Sequence, residues 1–296
     1  MEESFNTRVE RGNDLMGNSA VAICALVRDC ETALKNNIPF INELAAKFKD
    51  SKIVVIENDS VDRTKEILQN WAIDSSNVHI HSEDYGTTTI QKDHQGQAEK
   101  TKYFSNNRIE KMANYRNIYL NYVKTELKVD FVIMIDLDVH NIDLDGISNS
   151  FGFEKPWDSI NSNGRKLTPQ NPLAPYFYDT FAFRDIDDFG PTTMQKIKQY
   201  QRKYKNLKKG EDFIQVHSGF NGLAIYRWDS IKNLNYRFEE NEDDIVKFSC
   251  EHVTFHDDMR SNGQGNIYLN PSQIVEYEKL SFKLYWDKFM NKISAK

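Results

Sequence analysis

Residues 131–140, FVIMIDLDVH, constrain the fold more than any other segment, because five apolar residues lead directly into two aspartates. A short unbroken apolar run is typical of a strand buried on both faces of a parallel sheet. Asp136 and Asp138 then lie at the carboxyl end of this strand, where open α/β sheets bind their ligands. Two carboxylates there can hold a divalent cation, which in turn holds a phosphate. The alternative is a strand that runs into an acidic turn, because Asp-x-Asp is a common pattern.

Alternating strands and helices precede this segment. Apolar runs at residues 21–27, 52–56 and 78–81 predict strands, and apolar positions at helical spacing predict helices after the first two runs. Strands that alternate with helices indicate a parallel sheet with right-handed crossovers. The sequence therefore predicts a single Rossmann-like α/β domain, with a mostly parallel central sheet flanked by helices.

The remaining regions differ in character from this α/β half, which spans residues 19–140. Residues 1–18 are polar and predict a flexible arm, and the polar stretch 82–106 predicts a mobile loop. Residues 141–235 are rich in Asn, Pro, Tyr and Phe, and predict helices and loops that cover the carboxyl edge of the sheet, with a strand at residues 223–226. Residues 276–296 predict a C-terminal amphipathic helix.

Charge and cysteine usage exclude several classes of protein. The formal net charge of −6 argues against general nucleic-acid binding, which needs clustered Lys and Arg. The three cysteines show no paired metal spacing and no disulfide framework, which fits a reducing compartment. No signal peptide and no run of about eighteen apolar residues is evident. We therefore expect a cytoplasmic protein, peripheral at the membrane if it acts on a lipid-linked acceptor.

Phosphate-binding loops of the familiar kinds are missing from the sequence. Neither G-x-G-x-x-G nor G-x-x-x-x-G-K-[ST] follows the predicted strands, which argues against a dinucleotide enzyme or a P-loop NTPase. A phosphate must therefore be held in another way, and a metal bound by Asp136 and Asp138 would hold it.

The predicted helix at residues 108–124 carries an arginine near the middle of its apolar face, at Arg116. A buried guanidinium needs a partner. That partner is either a structural carboxylate or carbonyl beneath the helix, or a ligand phosphate or an aspartate of the site. The neighbouring Asn117 could add a hydrogen bond at the same place.

A second predicted helix, residues 250–260, offers further candidates for chemistry. Glu251 lies at its start, where it could act on a substrate or simply place a favourable charge at a helix N-terminus. His252 and His256 stand at i and i+4 and could be zinc ligands. Their motif is H-V-T-F-H, however, which lacks the glutamate of the H-E-x-x-H motif.

In this order, the segments resemble the GT-A fold nucleotide-sugar glycosyltransferases. The stretch IENDSVDRT at residues 56–64 is similar to the family's Val-Ile-x-Asp-x-Ser-x-Asp-x-Thr type, and Arg-Asn on a helix precedes the Asp-x-Asp strand. An acidic residue then opens a helix that ends in Arg, followed by Gly and a strand. The segments RIEKMANYRN, SGFNGLAIY and CEHVTFHDDMR look like the fungal capsule-associated α-1,3-mannosyltransferase relatives.

The resemblance implies a hexosyltransferase that takes its sugar from GDP-mannose or a UDP-hexose and passes it to a glycan or lipid-linked acceptor. It implies Mn²⁺ or Mg²⁺ as cofactor, with Asp136 and Asp138 as metal ligands. Residues 19–140 would bind the nucleotide sugar and residues 141–275 the acceptor. Glu251 and Asp136 would be catalytic, with Glu251 as general base in an inverting enzyme. The implied donor contacts are Val27, Arg28, Glu57, Asp59, Arg108, Arg116, Asn117, Asp136, Leu137 and Asp138.

Two alternatives to a transferase remain at this point. A nucleotidyltransferase also uses a parallel sheet and a carboxylate-held metal, but it commonly has a Gly-rich, Lys-containing loop after the first strand, where this chain has Arg28-Asp29-Cys30. The other alternative is a catalytically inactive module that binds a sugar nucleotide.

Overall fold

The structure, a computed structural model, describes residues 4–86, 106–168, 171–243 and 245–277. Within these residues the strands are β1 (Ala20–Val27), β2 (Asp50–Asn58), β3 (Val78–Glu83), β4 (Phe131–Asp136), β5 (Asn141–Ile142), β6 (Ser159–Thr168), β7 (Asn171–Phe177), β8 (Arg184–Asp185), β9 (Ile214–Ser218), β10 (Leu223–Arg227) and β11 (Ile267–Glu276). The helices are α1 (Phe5–Gly17), α2 (Glu31–Ala46), α3 (Thr64–Asp74), α4 (Asn106–Glu126), α5 (Leu144–Phe151), α6 (Met194–Lys203), α7 (Trp228–Ile231) and α8 (Glu251–Ser261).

The first four strands form a parallel half-sheet in the order β3-β2-β1-β4. Ile23 of β1 pairs in register with Ile53 of β2 and Ile133 of β4, and all three side chains enter the same hydrophobic core. Helices α2 and α3 contribute to this core, whereas α4 packs on the opposite face of the sheet. The predicted α/β fold, with parallel strands flanked by helices, is confirmed.

The second half of the sheet continues from β4 through antiparallel pairs. Strand β10 pairs antiparallel with β4 and with β6, and β11 lies parallel to β6. The predicted strand at residues 223–226 is present as β10, but the prediction of helices and loops over the rest of residues 141–235 was wrong in part, because β5 to β9 lie there. Strand β6 escapes recognition because its buried side chains are polar. Asn161 and Asn163 donate to the backbone oxygens of Tyr268 (3.1 Å) and Pro271 (3.0 Å), which satisfies their amide nitrogens inside the sheet.

The N-terminal segment is a helix, α1, and not the flexible arm that its composition predicts. The Ser4 hydroxyl caps it by accepting a hydrogen bond from the Thr7 amide at 3.2 Å. The helix lies directly against α5, since a Cβ on Gly12 would stand 1.7 Å from the Ser148 carbonyl oxygen. The sequence conceals this helix because its packed face consists of Arg8, Gly12 and Met16, which make no continuous apolar stripe.

The end of the described chain bears on two other predictions. Glu276 ends β11, and residues 278–296, where we predict an amphipathic helix, lie outside the described residues. The larger part of the predicted loop, residues 87–105, also lies outside them. Among the helices that the structure describes, none combines the length and the apolar character needed to cross a membrane.

Candidate functional site

A cleft of about 270 Å³ opens at the carboxyl ends of β1 and β4, where the parallel and antiparallel halves of the sheet meet. The chain reverses before β10 at Gly222, whose positive φ of 92° suits glycine. The carbonyl oxygen of Gly222 accepts a hydrogen bond from the Asp136 amide at 2.9 Å and so fixes the end of β4. Seven of the predicted site residues line the cleft: Val27, Arg28, Arg108, Arg116, Asp136, Asp138 and Glu251.

Four carboxylates line this cleft, and three of them, Asp136, Asp138 and Asp179, have raised pKa values. Burial raises the pKa of Asp136, and the neighbouring Asp138 raises it further. Partial loss of water also raises the pKa of Asp138, and burial raises that of Asp179. The Asp136 carboxylate is held by the hydroxyl of Tyr277, which donates to its Oδ2 at 2.8 Å. The site is therefore short of positive charge where Asp136 and Asp138 meet.

The donor set suits a hard divalent cation that shares its ligands with a substrate. Among the described residues, no group of three or more His, Cys, Asp or Glu side chains converges on one point. Mg²⁺ and similar ions are commonly held by one or two carboxylates together with substrate phosphates and water. Asp136 and Asp138 could supply these carboxylates, and the positive charges of Lys166 and Arg108 lie close enough to Asp138 to favour its ionised form. The same charges would attract a diphosphate.

A buried ion pair in the wall of the same cleft joins α4 to α8. The Arg116 Nε donates to Glu251 Oε1 at 3.0 Å, and both residues are almost completely buried. A second guanidinium nitrogen donates to the Tyr119 hydroxyl at 3.2 Å, and the group lies 5.0 Å from the centre of the Phe220 ring. Arg116 therefore has a carboxylate partner within the site, and Glu251 is held in a fixed position in the cleft wall.

Comparison of the sequence with known protein families identifies the family to which the chain belongs. The family model described as Cryptococcal mannosyltransferase 1 matches residues 20–258, which is most of the chain.

The chain belongs to this mannosyltransferase family.

Membership confirms the resemblance that the motifs indicate, and the protein is a glycosyltransferase. The chain is also similar in structure to the mannosyltransferase PcManGT from Pyrobaculum calidifontis, solved with GDP-Man and Mn²⁺, at 10% identity and a TM-score of 0.49, covering 96% of this chain and 69% of that one. It is similar as well to S. aureus TarS 1-349, at 14% identity and a TM-score of 0.47, covering 91% of this chain and 63% of that one. A third similar structure is the glucosyl-3-phosphoglycerate synthase from Mycobacterium tuberculosis, solved with Mn²⁺, UDP and phosphoglyceric acid. Its identity is 9% and its TM-score 0.47, and the match covers 96% of this chain and 80% of that one. A search of curated protein sequences gave no match.

In this family member, four predicted donor contacts do not line the cleft. Glu57 is fully buried and accepts a hydrogen bond from the Ser60 amide at 2.8 Å. Asp59 accepts from the Gly86 amide at 2.7 Å, and Leu137 is packed in the core. Asn117 donates to the Tyr236 carbonyl (2.8 Å) and accepts from its amide (2.7 Å). The polar side chains of this group organise loops of the mannosyltransferase fold.

The cleft also contains residues that the motifs do not indicate. Tyr277 and Asp179 contribute to the crowded carboxylate region, and His252 lies beside Glu251. Tyr277 escapes prediction because its segment predicts a helix, whereas it directly follows β11. No local signal in the sequence marks it, because its place at the cleft depends on the pairing of β11. The zinc interpretation of His252 and His256 has no support, since His256 is hydrogen-bonded to Ser218 and Tyr226 in the core.

Proposed function

We propose that this glycosyltransferase moves a hexose from a nucleotide-diphosphate sugar to a hydroxyl of a glycan or lipid-linked acceptor, with Mn²⁺ or Mg²⁺ at Asp136 and Asp138. The observation that carries the proposal is the convergence of these two aspartates with Glu251 in one cleft. Because the family is described as a mannosyltransferase, GDP-mannose is the first candidate donor and UDP-hexoses come next. The free, buried state of Cys24 and Cys250 supports action in the cytoplasm or at its membrane surface.

The proposed chemistry divides between the two sides of the cleft. When bound, the cation supplies positive charge that stabilises the diphosphate as it leaves. Arg108 and Lys166, which lie near Asp138, add positive charge on the same side. On the opposite side, Glu251 accepts the proton of the acceptor hydroxyl. The hydroxyl oxygen forms a bond to the sugar while the bond between the sugar and the diphosphate breaks. Arg116 fixes the orientation of the Glu251 carboxylate through the 3.0 Å hydrogen bond.

Nucleotide binding measured by calorimetry tests this proposal. We expect GDP-mannose or a UDP-hexose to bind in the presence of Mn²⁺ and to bind much more weakly after chelation with EDTA, because the diphosphate then meets the carboxylates of Asp136 and Asp138 without the cation between them. Release of nucleoside diphosphate should accompany binding when an acceptor is supplied. Binding without any turnover would identify an inactive sugar-nucleotide-binding module, and release of inorganic pyrophosphate from a nucleoside triphosphate would identify a nucleotidyltransferase.

Replacing Tyr277 with Phe should lower both the affinity for Mn²⁺ and the rate of transfer by about 10- to 100-fold, the range typical for groups that orient metal ligands. The change removes only the hydroxyl that holds Asp136 Oδ2 at 2.8 Å. Manganese binding in the presence of GDP, followed by calorimetry, and the transfer rate give the two measurements. Tyr268→Phe is a matched control, because this tyrosine lies on the same strand away from the cleft. Equal effects of the two changes would contradict the assignment.

A further inference from the structure

His252, the second residue of α8, lies in the wall of the cleft beside Glu251 and is only 1% exposed. Neither of its ring nitrogens has a hydrogen-bond partner in the described part of the chain. A buried polar group without a partner lowers stability by about 1–3 kcal/mol, and few native groups are left in this state. The two unpaired nitrogens of His252 therefore lower the stability of the fold, and no contact within the described residues offsets this loss.

Packing does not require a histidine at this position. The His252 ring stacks on Phe220 with centroids 4.1 Å apart and planes at 14°, and it meets Tyr236 edge-on at 5.4 Å. An apolar aromatic ring would make the same contacts. Burial, together with the nearby Arg116, lowers the pKa of His252 well below the usual range for histidine. The ring is therefore neutral, with one nitrogen that donates a hydrogen bond and one that accepts.

The other histidine of α8 shows a different arrangement. His256, one helical turn further on, is also fully buried, but its nitrogens lie 3.2 Å from the Ser218 hydroxyl and 3.4 Å from the Tyr226 hydroxyl. The two rings have similar burial on one helix, and only the ring that lines the cleft is without partners. The missing partner of His252 is thus to be sought in the cleft.

The position of Glu251 indicates what this partner is. His252 Nε2 lies 3.9 Å from Glu251 Oε1, which is too far for a direct hydrogen bond and slightly too close for one oxygen atom bonded to both. A hydroxyl can donate to a carboxylate and accept from an imidazole N–H at the same time. A ligand that does so has to part the two side chains slightly, and hydrogen bonds in active sites often tighten only when substrate is bound.

We propose that Glu251 and His252 form a subsite for one hydroxyl of the carbohydrate acceptor, in which His252 is a substrate-binding residue. The inference rests on the proposed transfer reaction and adds the residue that holds the acceptor. The hydroxyl donates its proton toward Glu251 Oε1 and accepts from His252 Nε2, so the proton that is to be removed is already directed at the carboxylate.

His252→Phe tests the proposal because stability and activity should change in opposite directions. The phenyl ring keeps both aromatic contacts and removes the unpaired nitrogens, so we expect the same or a higher melting temperature. The kcat/KM for the acceptor should fall about 10- to 100-fold, as expected for loss of a hydrogen bond of this kind. The Kd for the nucleotide sugar should change much less than the acceptor kcat/KM. His252→Gln, which restores polar atoms, should give an intermediate acceptor kcat/KM.

His256→Phe is the matched control. It removes nitrogens that have partners, so it should lower the melting temperature and leave the acceptor KM unchanged. The proposal is overturned if His252→Phe keeps the wild-type acceptor kcat/KM, or if it lowers the melting temperature as much as His256→Phe. A glutamine variant less active than the phenylalanine variant would also overturn it. If the wild-type protein neither binds nor hydrolyses nucleotide sugars, the proposed function itself fails, which separates the two results.

Discussion

Asp138→Asn should reduce sugar transfer by at least about 10³-fold and leave the fold intact. The proposed cation contributes several kcal/mol of charge stabilisation to the leaving diphosphate, and each 1.36 kcal/mol corresponds to about tenfold in rate. Asparagine keeps the shape of the side chain but removes the negative charge that holds the cation. Transfer to an acceptor should be measured at saturating donor over a range of Mn²⁺ concentrations, so that weakened binding is distinguished from lost catalysis.

The same change should not destabilise the protein. Asp138 is among the causes of the raised pKa of Asp136, so the two carboxylates repel each other in the absence of a cation. We therefore expect an unchanged or higher melting temperature. Asp14→Asn removes an exposed carboxylate from α1, far from the cleft, and should affect neither transfer nor melting. Full activity of Asp138→Asn would show that this aspartate does not bind the metal.

Arg116→Met should lower the free energy of unfolding by about 3–5 kcal/mol, the usual result of removing one partner of a buried ion pair. The Glu251 carboxylate would remain buried without its guanidinium, and the contacts to Tyr119 and Phe220 would be lost. Urea denaturation followed by circular dichroism gives the free energy, provided that the transition is two-state.

An exposed arginine that pairs with the same helix provides the control. Arg237 donates to Asp258 of α8 at 2.9 Å, but its side chain is 43% exposed. Arg237→Met should therefore cost at most about 1 kcal/mol. Combining Arg116→Met with Glu251→Gln should recover part of the stability, because no uncompensated charge remains. Similar losses for the two single arginine variants would mean that the buried pair contributes no more than a surface pair.

The sequence predicts the parallel half of the fold well because β1, β2 and β4 are buried on both faces over most of their length. In a chain of alternating strands and helices, a short apolar run such as the one before Asp136 strongly favours a buried strand. Strand β6 has no such apolar run, because its buried residues include Asn161 and Asn163. Their burial is possible because they donate hydrogen bonds to the backbone of β11, more than a hundred residues away. The sequence does not indicate the packing of helix α1 for a similar reason. Gly12 allows the close contact with α5 because it has no side chain, and it adds no hydrophobic residue to the pattern.

The candidate site follows from the sequence to a similar extent. Asp136, Asp138, Arg116 and Glu251 are indicated by local patterns, and the structure brings all four to one cleft. Local patterns do not show whether an acidic residue faces a ligand or accepts hydrogen bonds from a loop. They therefore predict that Glu57 contacts the nucleotide sugar, although its carboxylate accepts a hydrogen bond from the Ser60 amide in the following loop. The contribution of Tyr277 depends on the pairing of β11, which no local pattern specifies.

Two long-range contacts within the cleft also bear on the order of folding. Tyr277 is 141 residues from Asp136, and Glu251 is 135 residues from Arg116. Contacts over such separations require a large loss of chain entropy before they contribute stability, so we expect them to form after the more local pairing of β1 with β2 and of β2 with β3. A nascent chain that ends after β4 would carry both aspartates but neither the carboxylate nor the imidazole of the proposed acceptor subsite. Catalytic activity should thus develop only when the last strand is in place, which makes it a sensitive measure of complete folding.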